Sequence, residues 1–219
     1  AFISDVLSVY PTDHFYIKRG ENYLSLGGAV NIRKALEDFS TVIKLNPENI
    51  EAYYKRADIY QNYEKDNDLA LVDYNAILEL DSMQSLAYMK IGKIHHDNKE
   101  YDKALQQYNK SILVDPPSFE EVLEAYHERA DIFIKKNQYD NAINEYTRIL
   151  DTLMNDTILI LRYYTYTIYW NRAHTYFIKK DYNEALKDFD ISLMLDPDYV
   201  RAYIYRGRTY YELNDYDNS

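Results

Sequence analysis

Self-similarity constrains this chain more than any other feature. Six segments share one pattern, an aromatic, then glycine or alanine four positions on, then an aromatic or histidine three further: YIKRGENY (16–23), YYKRADIY (53–60), YMKIGKIH (88–95), YHERADIF (126–133), YWNRAHTY (169–176) and YIYRGRTY (203–210). Their small residues, Gly20, Ala57, Gly92, Ala130, Ala173 and Gly207, are spaced by 37, 35, 38, 43 and 34 residues. A second block follows each of the first five, with alanine and then an aromatic four on: ALEDF (35–39), ALVDY (70–74), ALQQY (104–108), AINEY (142–146) and ALKDF (185–189). Proline closes three copies, at Pro47, Pro116 and Pro197. Repetition on this length scale marks a stacked-repeat architecture.

Intervals of three and four residues place the aromatic and small residues on one helical face, so each unit is predicted to be two amphipathic helices. The small residues remove side-chain bulk where two helix axes approach, and the flanking tyrosines fill the grooves beside them. One such pair cannot bury its apolar face alone. The units must stack, each supported by its neighbours.

These blocks resemble the tetratricopeptide repeat, a helix–turn–helix unit of 34 residues, over nearly the whole chain. Departures are few: tyrosine opens each copy where the family often has tryptophan, His95 replaces an aromatic, and Ser82 and Met154 replace the closing proline. The resemblance implies an all-α, right-handed α-solenoid of stacked antiparallel helix pairs. Its repeats are expected at about 13–49, 50–84, 85–118, 123–156, 166–199 and 200–219 as one array, the last lacking its second helix. Residues 1–12 read as the tail of a preceding helix, so the chain reads as a piece of a longer array whose ends could self-associate into a homodimer.

Composition narrows function mainly by exclusion. There is no cysteine, which removes thiolate metal sites and cysteine nucleophiles and leaves the redox compartment unreadable, an intracellular location being the default expectation. Five glycines form no phosphate-cradling loop, and a net charge of −11 opposes attraction to nucleic acid. Apolar runs are far too short to cross a membrane. The five histidines are scattered or adjacent in sequence, with no metal-ligand spacing or nucleophile elbow, so no cofactor, metal or catalytic residue is expected.

Arginine recurs beside the small residue of the first block in five copies (Arg19, Arg56, Arg129, Arg172, Arg206), and an acid recurs in the second block of four (Asp38, Asp73, Glu145, Asp188). In the third copy both change together, to Ile91 and Gln107. This joint loss predicts an ion pair between the two helices of each repeat, worth about 1 kcal/mol or less if partly exposed. Extra residues in LGGAVNIRK and YEKDNDL are expected in the turns. The longest insertion, 154–168, is expected either to lengthen helices or to expose Ile158, Ile160, Tyr163 and Tyr164 as an apolar patch.

In the family the first helices line a peptide-binding groove. The chaperone-binding carboxylate clamp is incomplete: in the closest frame Asn171 and Arg201 fit, but His127, Asp131 and Tyr205 occupy the other places. The asparagine ladder of sugar transferases is also missing, its places holding Lys18, Lys55, Lys90, Glu128, Asn171 and Tyr205. The first four repeats offer a groove of mixed charge, including Lys18, Tyr54, Lys55, Lys90, Lys93 and His127. The last two offer Thr167, Trp170, Asn171, His174, Phe177, Arg201, Ile204, Tyr205, Arg208 and Tyr211, with aromatics and arginines but no acid. Tryptophan, tyrosine and arginine dominate interface energetics, so these ten are the candidate peptide-binding residues. The opposing expectation is that Trp170 and Phe177 are structural. The functional expectation is a non-catalytic protein-interaction scaffold. Its alternatives are a targeting array of a larger enzyme or co-chaperone and a self-associating module.

Overall fold

The computed structural model describes residues 12–114, 119–155 and 162–216, with side chains described over 12–114, 121–151 and 165–213. Among them there are helices and short turns but no strand. One compact unit holds α1 (Thr12–Leu26), α2 (Ala29–Leu45), α3 (Ile50–Ile59), α4 (Asn67–Leu80), α5 (Ser85–Asp97) and α6 (Tyr101–Leu113). A second holds α7 (Phe119–Lys135), α8 (Tyr139–Asn155), α9 (Arg162–Lys179), α10 (Tyr182–Leu195) and α11 (Val200–Tyr216). Within each unit the helices pair in chain order and each pair packs on the next, the all-α repeat architecture expected from the period.

The second helices bury one recurring stripe. Ala35, Asp38, Phe39 and Val42 are the buried residues of α2, and Ala70, Asp73, Tyr74 and Ile77 those of α4. The spacing of three, four and seven puts all four side chains on one face. Burial of each large apolar member contributes roughly 1.5–3 kcal/mol. Phe39 lies so close over Gly20 that a Cβ there would sit 2.8 Å from the ring, and Tyr108 lies over Gly92 at 2.6 Å. Glycine at these two positions lets the helices approach to ring thickness.

The acid inside the stripe meets the arginine of the first helix. Arg19 donates to Asp38 from Nε (2.9 Å) and Nη2 (2.6 Å), Arg56 to Asp73 at the same two distances, and Arg172 to Asp188 at 2.7 and 2.9 Å. Arg129 reaches Glu145 from Nη2 at 2.8 Å. The expected pairs therefore form. Asp73 is 2% exposed and Asp38, Glu145 and Asp188 are 6% exposed at the side chain. Whatever the net worth of the pair, removing one partner where the acid is this buried costs about 3–5 kcal/mol, because the other charge stays desolvated. Each arginine also lies over the tyrosine that opens its repeat, 5.1–5.8 Å from the ring centroid for Tyr16, Tyr53, Tyr126, Tyr169 and Tyr203. In the third repeat Lys110 takes that place over Tyr88, at 5.5 Å. These tyrosines are thus cation-bearing scaffold.

Two kinds of turn join the helices. First helices end on a left-handed residue at Lys65, Lys99, Asn137 and Lys180, and the chain bonds back across it, for example from Glu100 N to His95 O at 2.8 Å. Second helices end on an Asx turn: Asn46, Asp81 and Asp196 each accept from the backbone N–H two residues on, at 3.2, 2.9 and 3.1 Å. The Asx side chain, present with or without the proline, sets this turn, which is why Ser82 replaces proline without loss of the geometry.

The extra residues of the first two repeats are not in loops. Gly27 and Gly28, at φ 66° and 80°, make the first turn alone, and the remainder lengthens α2 to 17 residues against 14 for α4. In the second repeat the helix closes with a π-helical turn, Tyr60–Glu64, which absorbs one residue without a break. Around the longest insertion, α8 has 17 residues and α9 has 18. Ile158 and Ile160, the side chains of Tyr163 and Tyr164, and the tail at 1–11 lie outside the described residues.

Candidate functional site

The first helices of the first unit carry lysines that face acids of their own face. Lys18 and Lys55 both donate to Glu21, at 2.8 and 2.7 Å, and Lys90 donates to Asp58 at 3.1 Å. The Lys55 and Lys90 contacts join neighbouring repeats. Hydrogen bonds from Lys18 and Lys55 hold the Glu21 carboxyl down at about 2. Tyr54 is half-buried, tilted against Tyr74 at 6.3 Å, with its hydroxyl 3.3 Å from Gln84 Oε1. Lys93 is exposed. Four of the five candidates on this face, Lys18, Tyr54, Lys55 and Lys90, are therefore engaged within the scaffold, and of its four lysines Lys18, Lys55 and Lys90 are met by acids while Lys93 is exposed.

In the second unit the candidates divide into two layers. Trp170, His174, Phe177 and Tyr205 form one aromatic cluster. His174 stacks on Trp170 (5.1 Å, 5°) and meets Tyr205 edge-on (4.7 Å, 90°), while Phe177 and Trp170 approach Tyr205 at 5.7 and 5.8 Å, also edge-on. The cluster rests on buried Ala173, Ala185, Phe189, Leu193 and Ala202. Burial lowers the His174 pKa from its ordinary value by disfavouring the charged imidazolium. The indole N–H of Trp170 is buried without a partner among the described residues, so its role here is packing. These rings seal the fifth repeat onto the sixth, with Trp170 and Phe177 partly exposed as the floor of this face.

Above that floor lies a solvent-facing layer contributed by α11. Arg201 lies 5.9 Å over the Trp170 ring and Arg208 5.1 Å over Tyr205, both exposed. Ile204 and Tyr211 are 50% and 67% exposed. No carboxylate among the described residues pairs with either arginine. The aromatic faces below support both guanidinium groups, and Arg201 also hydrogen-bonds the Tyr199 side chain. Asn171 is turned the other way, its Nδ2 3.3 Å from His127 Nε2 on α7, which ties the fourth repeat to the fifth. Thr167 is half-buried on α9 and also engaged. Of the ten residues the sequence singled out, the structure leaves Arg201, Ile204, Arg208 and Tyr211 facing solvent above Trp170, His174, Phe177 and Tyr205.

No group of three histidine, aspartate or glutamate side chains among the described residues could hold a metal ion. No described helix is long and apolar enough to cross a membrane.

Two tetratricopeptide-repeat family models match, one at residues 86–118 and 123–151 and the other at 166–199, and each of the three spans overlaps one of the helix pairs described above. The chain is a tetratricopeptide-repeat domain. Among curated relatives, Hsp70-Hsp90 organizing protein 2 of Arabidopsis thaliana is 24% identical over 89% of this chain and 39% of its own length. The human DnaJ homolog subfamily C member 3 is 24% identical over 87% of this chain and 38% of its own. The chain thus spans about two fifths of each. Among solved structures, MamA superposes with a TM-score of 0.68 at 19% identity, covering 87% of this chain and 94% of that one. YrrB, described as a TPR protein with an unusual peptide-binding site, superposes at 0.65 with 16% identity, covering 93% and 97%. At these identities the structures speak for the fold alone.

Proposed function

We propose that this tetratricopeptide-repeat domain is a protein-interaction scaffold, and that it holds a segment of a partner protein against the first-helix face of its fifth and sixth repeats. The observation that carries this reading is the contrast between two sets of cations. Lys18, Lys55 and Lys90 are met by Glu21 and Asp58, whereas Arg201 and Arg208 lie on aromatic rings with no carboxylate among the described residues. A partner segment with an acidic residue beside an apolar one fits, the acid on an arginine edge and the apolar side chain between Ile204 and Tyr211. Both the Hsp70-Hsp90 organizing protein and the DnaJ homolog are longer than this chain, which supports a second reading in which the array targets a larger co-chaperone-like protein. Against a chaperone-tail clamp stand His127 and Asn171, which engage each other, and Tyr205, which is packed in the floor.

Selection from a phage-displayed random peptide library tests the site. Enrichment of sequences with an acid next to an aromatic or aliphatic residue is expected, with binding to the Arg201→Glu/Arg208→Glu variant lost by about tenfold or more. Circular dichroism controls for folding. Enriched peptides that bind the folded double variant as tightly as the unaltered chain would place the site elsewhere.

A further inference from the structure

Charge on the first-helix face is arranged differently in the two units. In the first unit, the residue after one repeat's small residue meets the residue two before the next repeat's. Glu21 meets Lys55 in this way at 2.7 Å, and Asp58 meets Lys90 at 3.1 Å. Opposite signs on adjacent helices cancel locally. In the second unit the same register sets Asp131 against Asn171 and His174 against Tyr205. His174 and Tyr205 meet as rings, Asn171 turns to His127, and Asp131 forms an ion pair with Lys135 of its own helix.

Charge is sorted to the two ends of this unit instead. Helix α7 brings Glu124, Glu128 and Asp131 on one stripe, four and three residues apart, against the single Lys135, and Glu124 is exposed. Helix α9 brings Thr167, Trp170, Asn171 and His174, with no acid, lysine or arginine among them. Helix α11 brings Arg201 and Arg208, both exposed. The stripes are neighbours: Asn171 reaches His127 at 3.3 Å, and Tyr205 meets Trp170 and His174 edge-on. With adjacent helix axes about 8–10 Å apart, the acidic and basic ends are separated by roughly 20 Å. An extended segment covers that distance in about six residues. Arg201 and Arg208 stand 34 residues after Thr167 and His174. Helix α10 covers a different side of α9, holding Arg172 and packing on Ala173, so a helix packed on α11 as α10 packs on α9 leaves both arginines clear.

We propose that this face of the fourth to sixth repeats selects an extended partner segment of mixed charge, acidic at one end, basic about six residues away and apolar between. The segment crosses the three first helices with its acid on Arg201 and Arg208, its apolar side chains over the ring floor of α9, and its base at Glu124 and Glu128. This inference rests on the arginine site proposed above and adds to it a basic end, a length and an order of charges. A segment acidic throughout meets repulsion at α7, and one basic throughout meets it at α11.

The probes are fluorescein-labelled peptides with a common centre, Ile-Tyr-Ile-Ser. It is flanked by Asp-Asp and Lys-Lys, in both chain directions, or by Asp-Asp on both sides, or by Lys-Lys on both sides. Anisotropy is followed as the 219-residue chain is added. A mixed-charge peptide is expected to bind in at least one direction, about tenfold more tightly than either single-sign peptide. Glu124→Lys is expected to weaken it about threefold or more and to strengthen the doubly acidic peptide. Arg201→Glu/Arg208→Glu is expected to weaken both, with circular dichroism as the folding control. Equal binding of the mixed and doubly acidic peptides, both lost in the arginine variant, overturns the order of charges and leaves the arginine site standing. Mixed-peptide binding that Glu124→Lys leaves unchanged does the same. Binding that the folded arginine variant retains in full overturns both readings. Absence of saturable binding by all four peptides overturns the mixed-charge inference, and the library selection then decides the arginine site by itself.

Discussion

Arg129 holds Glu145 through one hydrogen bond, Nη2 to Oε1 at 2.8 Å, and leaves its own Nε and the Glu145 Oε2 buried without partners among the described residues. In three other repeats the acid is aspartate and both oxygens are used. The additional methylene of Glu145 carries its carboxylate out of register with the guanidinium edge, and the geometry changes from a fork to a point contact. Burial then dominates: it pushes the Glu145 carboxyl above the ordinary value of 4.5 even though Arg129 and Arg148 pull the other way.

Replacing Glu145 by aspartate is expected to raise stability by about 1–2 kcal/mol at pH 7, since it satisfies two buried polar atoms. The pH dependence carries the same information. A buried acid with a raised pKa binds its proton more tightly in the folded state, so the penalty for ionising it is absent below 4.5 and grows as pH rises through the raised value. Urea midpoints of Glu145→Asp and the unaltered chain should therefore lie close together near pH 4 and diverge towards pH 7. Equal midpoints at both pH values would show that the second contact is worth nothing.

The joint change to Ile91 and Gln107 in the third repeat shows how a pair of this kind is exchanged. Asp73→Gln alone is expected to cost about 3–5 kcal/mol, because Arg56 would stay largely buried opposite a neutral amide. Arg56→Ile with Asp73→Gln should recover most of that loss, as Ile91 is itself buried beside Gln107's helix. Chemical denaturation of the two single variants and the double one measures the coupling; additivity would mean that the two side chains do not act as a unit.

The helix pairs and the arginine–acid contacts were legible because both recur: a period exposes the face, and one joint loss exposes the partner. What the period hides is where inserted residues go. Counting residues between Gly20 and Ala35 gives three too many, but only backbone geometry shows that Gly27 and Gly28 form the turn and that the excess becomes helix. The packing within the candidate site is hidden for a related reason. Trp170, Phe177 and Tyr205 stand at groove positions by register, yet large rings on adjacent helices reach one another first, and register does not state side-chain length. Quenching of Lys55 and Lys90 did leave a signal, since Glu21 and Asp58 precede them by 34 and 32 residues, about one repeat.

Two glycines at equivalent positions should respond oppositely to the same substitution. Gly92→Ala would bring a Cβ to 2.6 Å from the fully buried Tyr108 ring, and the resulting overpacking is expected to cost about 1–3 kcal/mol. Gly207→Ala meets nothing and replaces glycine inside α11, for an expected gain of up to about 1 kcal/mol. Thermal unfolding of both variants decides the matter. A gain at both positions would mean that the α5–α6 contact is looser than the ring distance implies.

The Glu21 cluster gives the last test, and it bears on which cations the first unit can offer a ligand. With a folded carboxyl held at about 2 against an ordinary value of 4.5, Glu21 contributes stability that is fully present above 4.5 and is lost as pH falls towards 2. Carbon-detected NMR of the Glu21 carboxyl should show a titration well below the ordinary glutamate value of 4.5. Lys55→Met should move it upward, only part of the way, because the Lys18 contact remains. An unshifted Glu21 would mean that neither lysine is held, and Lys18 and Lys55 would then return to the face as cations available to a partner. A depressed one keeps them in the scaffold and leaves Arg201 and Arg208 as the arginines to which an acidic segment is steered.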